Sequence, residues 1–180
     1  MNLLRFTITV VILVVILLGG DYLQYRKLSK FRKIVVSIDA LTHGVIAVII
    51  VLPLLEITVI NEILIAMVAF FIAGLLDIDH FVVAKSIHIS DAIKLNSRPY
   101  THSITFALIL ALLVWGISQR VLLGVVAFIA VTSHVVRDAS GGITPLLWPL
   151  PTRKIPYWSY LIIEVSLLIF LQAWVYSLVG

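Results

Sequence analysis

The amino-acid sequence predicts an all-α fold, a polytopic transmembrane helical bundle of about six spans, and three observations predict it. Of the 180 residues, 62% are hydrophobic and only 12% charged, whereas a soluble domain is nearer half apolar and about a quarter charged. The apolar residues gather in six runs, near 3–20, 35–55, 57–76, 103–118, 121–137 and 159–179, each close to the roughly 20 residues that carry a helix across a bilayer. Eleven of the 13 Lys and Arg residues fall in alternate connections between those runs, the bias expected of loops kept on the cytoplasmic side.

Taken in order, the first run has only Arg5 before its apolar core and Arg26, Lys27, Lys30, Arg32 and Lys33 after it. That pattern marks a retained anchor with its N-terminus outside rather than a cleaved leader. The second and third runs follow, and the fourth and fifth are short and joined by Ser118-Gln119-Arg120, a tight helical hairpin. Lys85, Lys94 and Arg98 in one long loop and Arg137, Arg153 and Lys154 around another complete the basic set. The loops at 21–34, 77–102 and 138–158 are therefore expected in the cytoplasm, with both termini outside a cell inner (plasma) membrane. The stretch from Gly141 to Trp158, rich in Pro and aromatics, reads as interfacial, with Trp148, Tyr157 and Trp158 as an aromatic belt.

So little polar sequence remains outside the runs that residues 1–180 read as one integral membrane domain. The chain has no Cys, which excludes disulfides, thiolate metal sites, iron–sulfur clusters and a cysteine nucleophile, and leaves His and carboxylates as the strong metal ligands. The net charge of +4 is accounted for by membrane orientation and contact with anionic lipid, so lipid rather than nucleic acid is the expected partner.

Ionisable side chains within spans are costly and face the protein interior or a wet cavity. Here they gather at one end: Asp39 and His43 open the second span, Asp77, Asp79 and His80 close the third, His102 opens the fourth, and His134 and Asp138 close the fifth. Asp39/His43 and His134/Asp138 are each i, i+4 pairs that share a helix face. Because the two helices run in opposite directions, both pairs place the Asp at the surface and the His about one turn, roughly 6 Å, deeper. Four Asp and four His exceed the ligands of one tetrahedral ion, so two or more divalent transition-metal ions are expected, zinc first, with manganese and iron as the other choices.

Four segments also carry a resemblance: Thr42-His43-Gly44, Gly74-Leu75-Leu76-Asp77-Ile78-Asp79-His80, Arg98-Pro99-Tyr100-Thr101-His102-Ser103, and Ser133-His134-Val135-Val136-Arg137-Asp138, the last followed by Gly142 and Leu147-Trp148-Pro149. In this order they resemble the YdjM-like family of membrane-bound metal-dependent hydrolases, LexA-regulated inner-membrane proteins distantly similar to zinc-dependent phospholipase C and P1-type nucleases. The resemblance implies a hydrolase-like core over about 35–180 and a phosphodiester or phosphomonoester substrate. Ser97 stands where the family pattern often has His, and the span at 3–20 lies outside the resemblance.

The expected function is a membrane-embedded metal-dependent hydrolase at the cytoplasmic face, acting on a phosphoester of a lipid or other amphiphilic phosphorylated substrate. Asp39, His43, Asp77, Asp79, His80, His102, His134 and Asp138 are the candidate ligands, Asp39 being equally a cap or an orienting partner of a ligand. Asp79 and His102 are the candidate catalytic pair, with Arg98 and Arg137 placed to receive phosphate oxygens or to anchor orientation. Glu164, six residues into the last span, is either a further ligand or base, or a carboxylate paired with Arg153 or Lys154. Glu56 and Glu62 read as interface residues of the other side, and His88 and Asp91 as solvated loop residues. Two other classes compete. A divalent-cation or proton transporter would need the polar path to continue outward, where only Arg5, Glu56, Glu62 and Arg120 are charged; a non-catalytic adaptor would hold its metal in closed coordination. Oligomeric state is not encoded in these patterns.

Overall fold

A computed structural model describes residues 3–22, 32–58, 60–92, 95 and 98–179. Arg26, Lys27, Lys30, Lys94 and Ser97 lie outside the described residues, as do the side chains of Arg32 and Lys33. The architecture is all-α: α1 (Leu3–Tyr22), α2 (Arg32–Val51) running into a 3-10 turn (Leu52–Glu56), α3 (Glu62–Leu75), the short α4 (Ile78–Val83) and α5 (Ile89–Ala92), α6 (Ile104–Ser118), α7 (Val121–Gly141) and α8 (Tyr157–Val179). Five helical segments, Leu4–Tyr22, Ile34–Glu56, Glu62–Val83, Val121–Gly141 and Tyr157–Val179, are long and apolar enough to cross a membrane.

Two boundaries differ from the sequence expectation for clear physical reasons. The third apolar run begins its helix at Glu62 rather than 57, because Pro53 sits at the start of the 3-10 turn and Asn61 then caps α3 by accepting from the Ile63 N–H. The fifth run continues through Asp138 to Gly141, because its polar residues are buried inside the bundle instead of ending the helix. The fourth run forms the 15-residue α6, shorter than the five candidate spans; its Ser103 N-cap accepts from Phe106 N–H at 3.0 Å, and Gln119 closes it with a left-handed backbone.

Helix α7 is the axis of the bundle, packed against α2, α3, α6 and α8, while α1 lies against α2 and α8. The span of α7 is 72% buried, against 17% for α1, so α1 is a peripheral element. Small residues permit the close crossings that hold a bundle in lipid, where packing rather than apolar transfer drives association. A methyl added at Gly74 would stand 3.0 Å from the Ala40 carbonyl oxygen of α2, and one at Gly124 would stand 2.8 Å from the Ala111 oxygen of α6. The Gly74 contact brings α2 and α3 together at the end where the His and Asp residues lie, while the Gly124 contact clamps α6 to the first turn of α7, ten residues before His134.

The segment after α7 folds back over that end. Thr144 and Arg153 exchange both backbone hydrogen bonds, Ile155 N–H donates to Ala139 O, Ile104 N–H to Leu146 O, and Arg98 N–H to Ile143 O. Trp148, Leu150 and Trp158 are exposed, as an interfacial segment requires.

Candidate metal centre

The site is assembled from helix ends that the sequence makes inward-facing. The turn at Leu76 and Asp77 breaks α3 from α4, so that Asp77, Asp79 and His80 point into the end of the bundle. The Arg98–Ser103 segment is a tight turn, with His102 N–H donating to Pro99 O at 2.9 Å and Ser103 Oγ donating to Tyr100 O at 2.8 Å. This turn delivers His102, fully buried, between α3 and α7. His134 and Asp138 arrive one helical turn apart on α7, also buried.

Four donors converge. His102 Nε2 lies 3.2 Å from Asp77 Oδ1 and 3.2 Å from Asp138 Oδ2. His134 Nε2 lies 3.6 Å and 3.3 Å from the same two atoms, and 3.2 Å from His102 Nε2. Four ligands held about 2.0–2.1 Å from one ion are about 3.3–3.4 Å from each other in a tetrahedron, so these separations fit a metal ion's ligand shell.

The second nitrogens of both rings are directed by fixed acceptors, as metal-binding imidazoles require. His134 Nδ1 donates to the Ala73 carbonyl oxygen at 2.7 Å, and His102 Nδ1 donates to Asp79 Oδ2 at 3.1 Å. Both Nε2 lone pairs then face each other and the two carboxylates. Asp138 Oδ2 is buried without a hydrogen bond of good geometry, although two imidazoles stand near it, and such an atom calls for a cation.

Two further donor groups adjoin the first and share residues with it: Asp79, His80 and His102, and Asp39, His43 and Asp77. Asp79 is fixed by a hydrogen bond from Thr101 Oγ1, and its Oδ1 lies 3.0 Å from His80 Nδ1 without hydrogen-bond geometry for either atom. His43 stacks on His134 with ring centroids 3.7 Å apart.

The two arginines differ in role. Arg98 sits at the rim, with 29% of its side chain exposed, Nη2 3.1 Å from Asp138 Oδ1 and Nη1 3.2 Å from His80 Nε2. Arg137 is turned inward and buried: Nη1 donates to Asp39 Oδ1 and to His43 Nε2 at 3.0 Å, and Nη2 donates to Asp21 Oδ1 at 2.9 Å.

Glu164 is buried on α8 and belongs to none of the three donor groups. It accepts from Ser133 Oγ at 3.1 Å, while Arg153 and Lys154 are exposed. Glu56 and Glu62 are exposed at the opposite end, and Asp91 accepts from Ser86 Oγ at 2.7 Å within its loop. His88 lies in that same loop, outside all three groups. Sequence reasoning missed Asp21, which is buried at the end of α1; the available signal was an acid ending an apolar run on the side where the other acids lie. It also left Thr101 and Ser133 without roles.

A polytopic helical membrane protein with an inward-facing His/Asp cluster at one bundle end is the class that fold and site define. The family described as YdjM inner membrane protein matches residues 38–179, and the chain belongs to that family. It is similar to Transmembrane protein 267 of Xenopus laevis, 36% identical over 107 residues that cover 54% of this chain and 48% of that protein. Its counterparts are 36% identical over 107 residues in Danio rerio, covering 54% of this chain and 47% of that protein, and 33% identical over 112 residues in Bos taurus, covering 54% and 48%. The chain thus spans about half the length of the curated relatives it matches. No solved structure matches it.

Proposed function

We propose that this protein is a membrane-embedded metal-dependent hydrolase acting on a phosphoester of a lipid or other amphiphilic substrate at the cytoplasmic face. The observation that carries the proposal is the convergence of His102 Nε2, His134 Nε2, Asp77 Oδ1 and Asp138 Oδ2 at 3.2–3.6 Å, with both imidazoles held in the ligating tautomer. These four residues would hold the ion. A bound zinc, manganese or iron ion would supply a water made acidic by coordination and a positive charge for phosphoryl oxygens.

The chain's own residues complete the chemistry. Asp79 orients His102 through its Nδ1 and is itself fixed by Thr101. Arg98, half-way between the buried carboxylates and solvent, is placed to take phosphate oxygens in its planar fork. The donor pair Asp79/His80 adjoins the four-donor site and is the place for a further ion, whereas the Asp39/His43 pair carries the Arg137 guanidinium.

The test is elemental analysis of purified protein, joined to a phosphatase and phosphodiesterase screen over phospholipids and polyprenyl phosphates. Metal should be bound, and the His134→Ala/Asp138→Ala double variant should lose it. Full retention of metal by that variant removes α7 from the site. A second reading has its own observation, since four protein donors saturate a tetrahedral zinc and leave no place for water. Metal that is retained through chelator washes, with no hydrolysis of any substrate, would favour an adaptor with a structural ion.

A further inference from the structure

The opposite side of the cluster carries a cation of its own. Asp39, His43 and Asp77 bring three donor atoms within 4.8 Å of one another, the third such group among the described residues, yet a guanidinium already lies on it. Arg137 Nη1 donates to Asp39 Oδ1 and to His43 Nε2 at 3.0 Å. Guanidinium groups have only donors and remain charged throughout the accessible pH range. His43 Nε2 therefore presents its lone pair to Arg137, as it would to a metal.

The other edge of the fork is anchored. Arg137 Nε and Nη2 both donate to Asp21 Oδ1, at 3.3 and 2.9 Å, and the side chain is only 6% exposed. Asp21 closes α1, a helix that precedes the family-matched segment 38–179. With Asp21 on one edge and Asp39 on the other, the arginine has no room to swing aside and admit an ion.

We propose that Arg137 is a built-in cation that fills a latent metal position formed by Asp39, His43 and Asp77, held there by Asp21 of α1. The proposal rests on the metal-centre reading above. It makes Arg137 a positioning residue that limits how many ions the site accepts, and gives α1 a part in setting that number. Removing the guanidinium leaves the buried Asp21 and the part-buried Asp39 without their cation, next to a ready imidazole, and a divalent ion restores the balance.

The experiment measures metal content of the intact chain in detergent after loading with zinc or with manganese and desalting, for wild type, Arg137→Ala, Arg137→Lys and Asp39→Asn. Arg137→Ala should hold one equivalent more than wild type, and Arg137→Lys, which retains a cation, no more than wild type. Asp39→Asn should match wild type, because Asp39 serves the arginine and not an ion. Equal metal in folded Arg137→Ala and wild type overturns the proposal, as does loss of an equivalent in Asp39→Asn. If Arg137→Ala fails to fold, the Asp39→Asn result decides by itself. A wild type that binds no metal at all defeats the underlying reading, a result distinct from either of these.

Discussion

Asp79 shows what a single carboxylate does in this site. It accepts from Thr101 and from His102 Nδ1, so it governs which nitrogen of His102 faces the four-donor centre. Replacing it by Asn keeps its size but removes the charge that, on the proposed metal reading, would strengthen His102 as a ligand, and partners of this kind are worth about 10–100-fold in affinity or activity. Asp79→Asn should lower metal affinity by about that factor while the detergent-solubilised protein remains monodisperse, and hydrolysis should fall at least as far. Unchanged metal affinity, measured by competition with a chelator, would mean that His102 is oriented by other groups. Much of this was legible beforehand, because His and Asp are unmistakable within apolar runs. The direction of Arg137 was not. It adjoins Asp138 in sequence, but a helix turns by about 100° per residue, so Arg137 reaches Asp21 of α1 and Asp39 of α2 while Asp138 meets Arg98 and His102 of the turn before α6. Glu164 illustrates the same limit, since its partner Ser133 is 31 residues away and a lone buried acid carries no pattern.

At the scale of elements, two glycines explain why the site ends of α2 and α3 lie so close together. Gly44 and Gly74 lie at the crossing of α2 and α3, where a methyl on Gly44 would meet the Phe70 ring at 2.7 Å. These are the residues beside His43 and before Asp77 in the motifs, and their place there is one of helix approach. Gly124 and Gly116 make a controlled comparison. A methyl at Gly124 meets backbone of α6 at 2.8 Å, whereas nothing lies within 4 Å of one at Gly116. Gly124→Ala should destabilise the bundle by about 1–3 kcal/mol through overpacking. Gly116→Ala should be neutral or stabilising by up to about 1 kcal/mol, from helix propensity. Denaturation in mixed micelles measures both, and equal stability of the two variants would mean that α6 and α7 can separate without cost. Hydropathy disclosed the spans, but it does not report crossing geometry, so the break at Leu76–Asp77 and the late start of α3 appeared only in three dimensions.

The whole molecule is a bundle with one chemical end. Asp21, Asp39, Asp77, His102, Asp138 and Glu164 all lie in that half, from helices of both directions, while Glu56 and Glu62 mark the other. We propose from the bias of basic residues that the chemical end faces the cytoplasm, and the absence of Cys makes the proposal simple to test. Thr152→Cys, exposed in the segment that folds over the site, should resist an impermeant thiol reagent applied to intact cells and react after lysis. Labelling in intact cells would invert the topology while keeping the site at one face.

The brevity of α6 has a consequence for the surrounding lipid. Its 15 residues span about 22 Å at 1.5 Å per residue, whereas the hydrocarbon layer of a typical bilayer is about 30 Å thick. Such hydrophobic mismatch draws the adjacent leaflets inward, and His102 stands two residues before the start of this helix. A dimple in the bilayer beside α6 would carry headgroups down toward the site, so that a lipid need not be lifted out of the membrane to be cleaved. Reconstitution in a series of phosphatidylcholines of increasing acyl length should therefore show turnover highest in thin bilayers and declining in thick ones. Turnover indifferent to chain length would indicate a substrate that reaches the site from water.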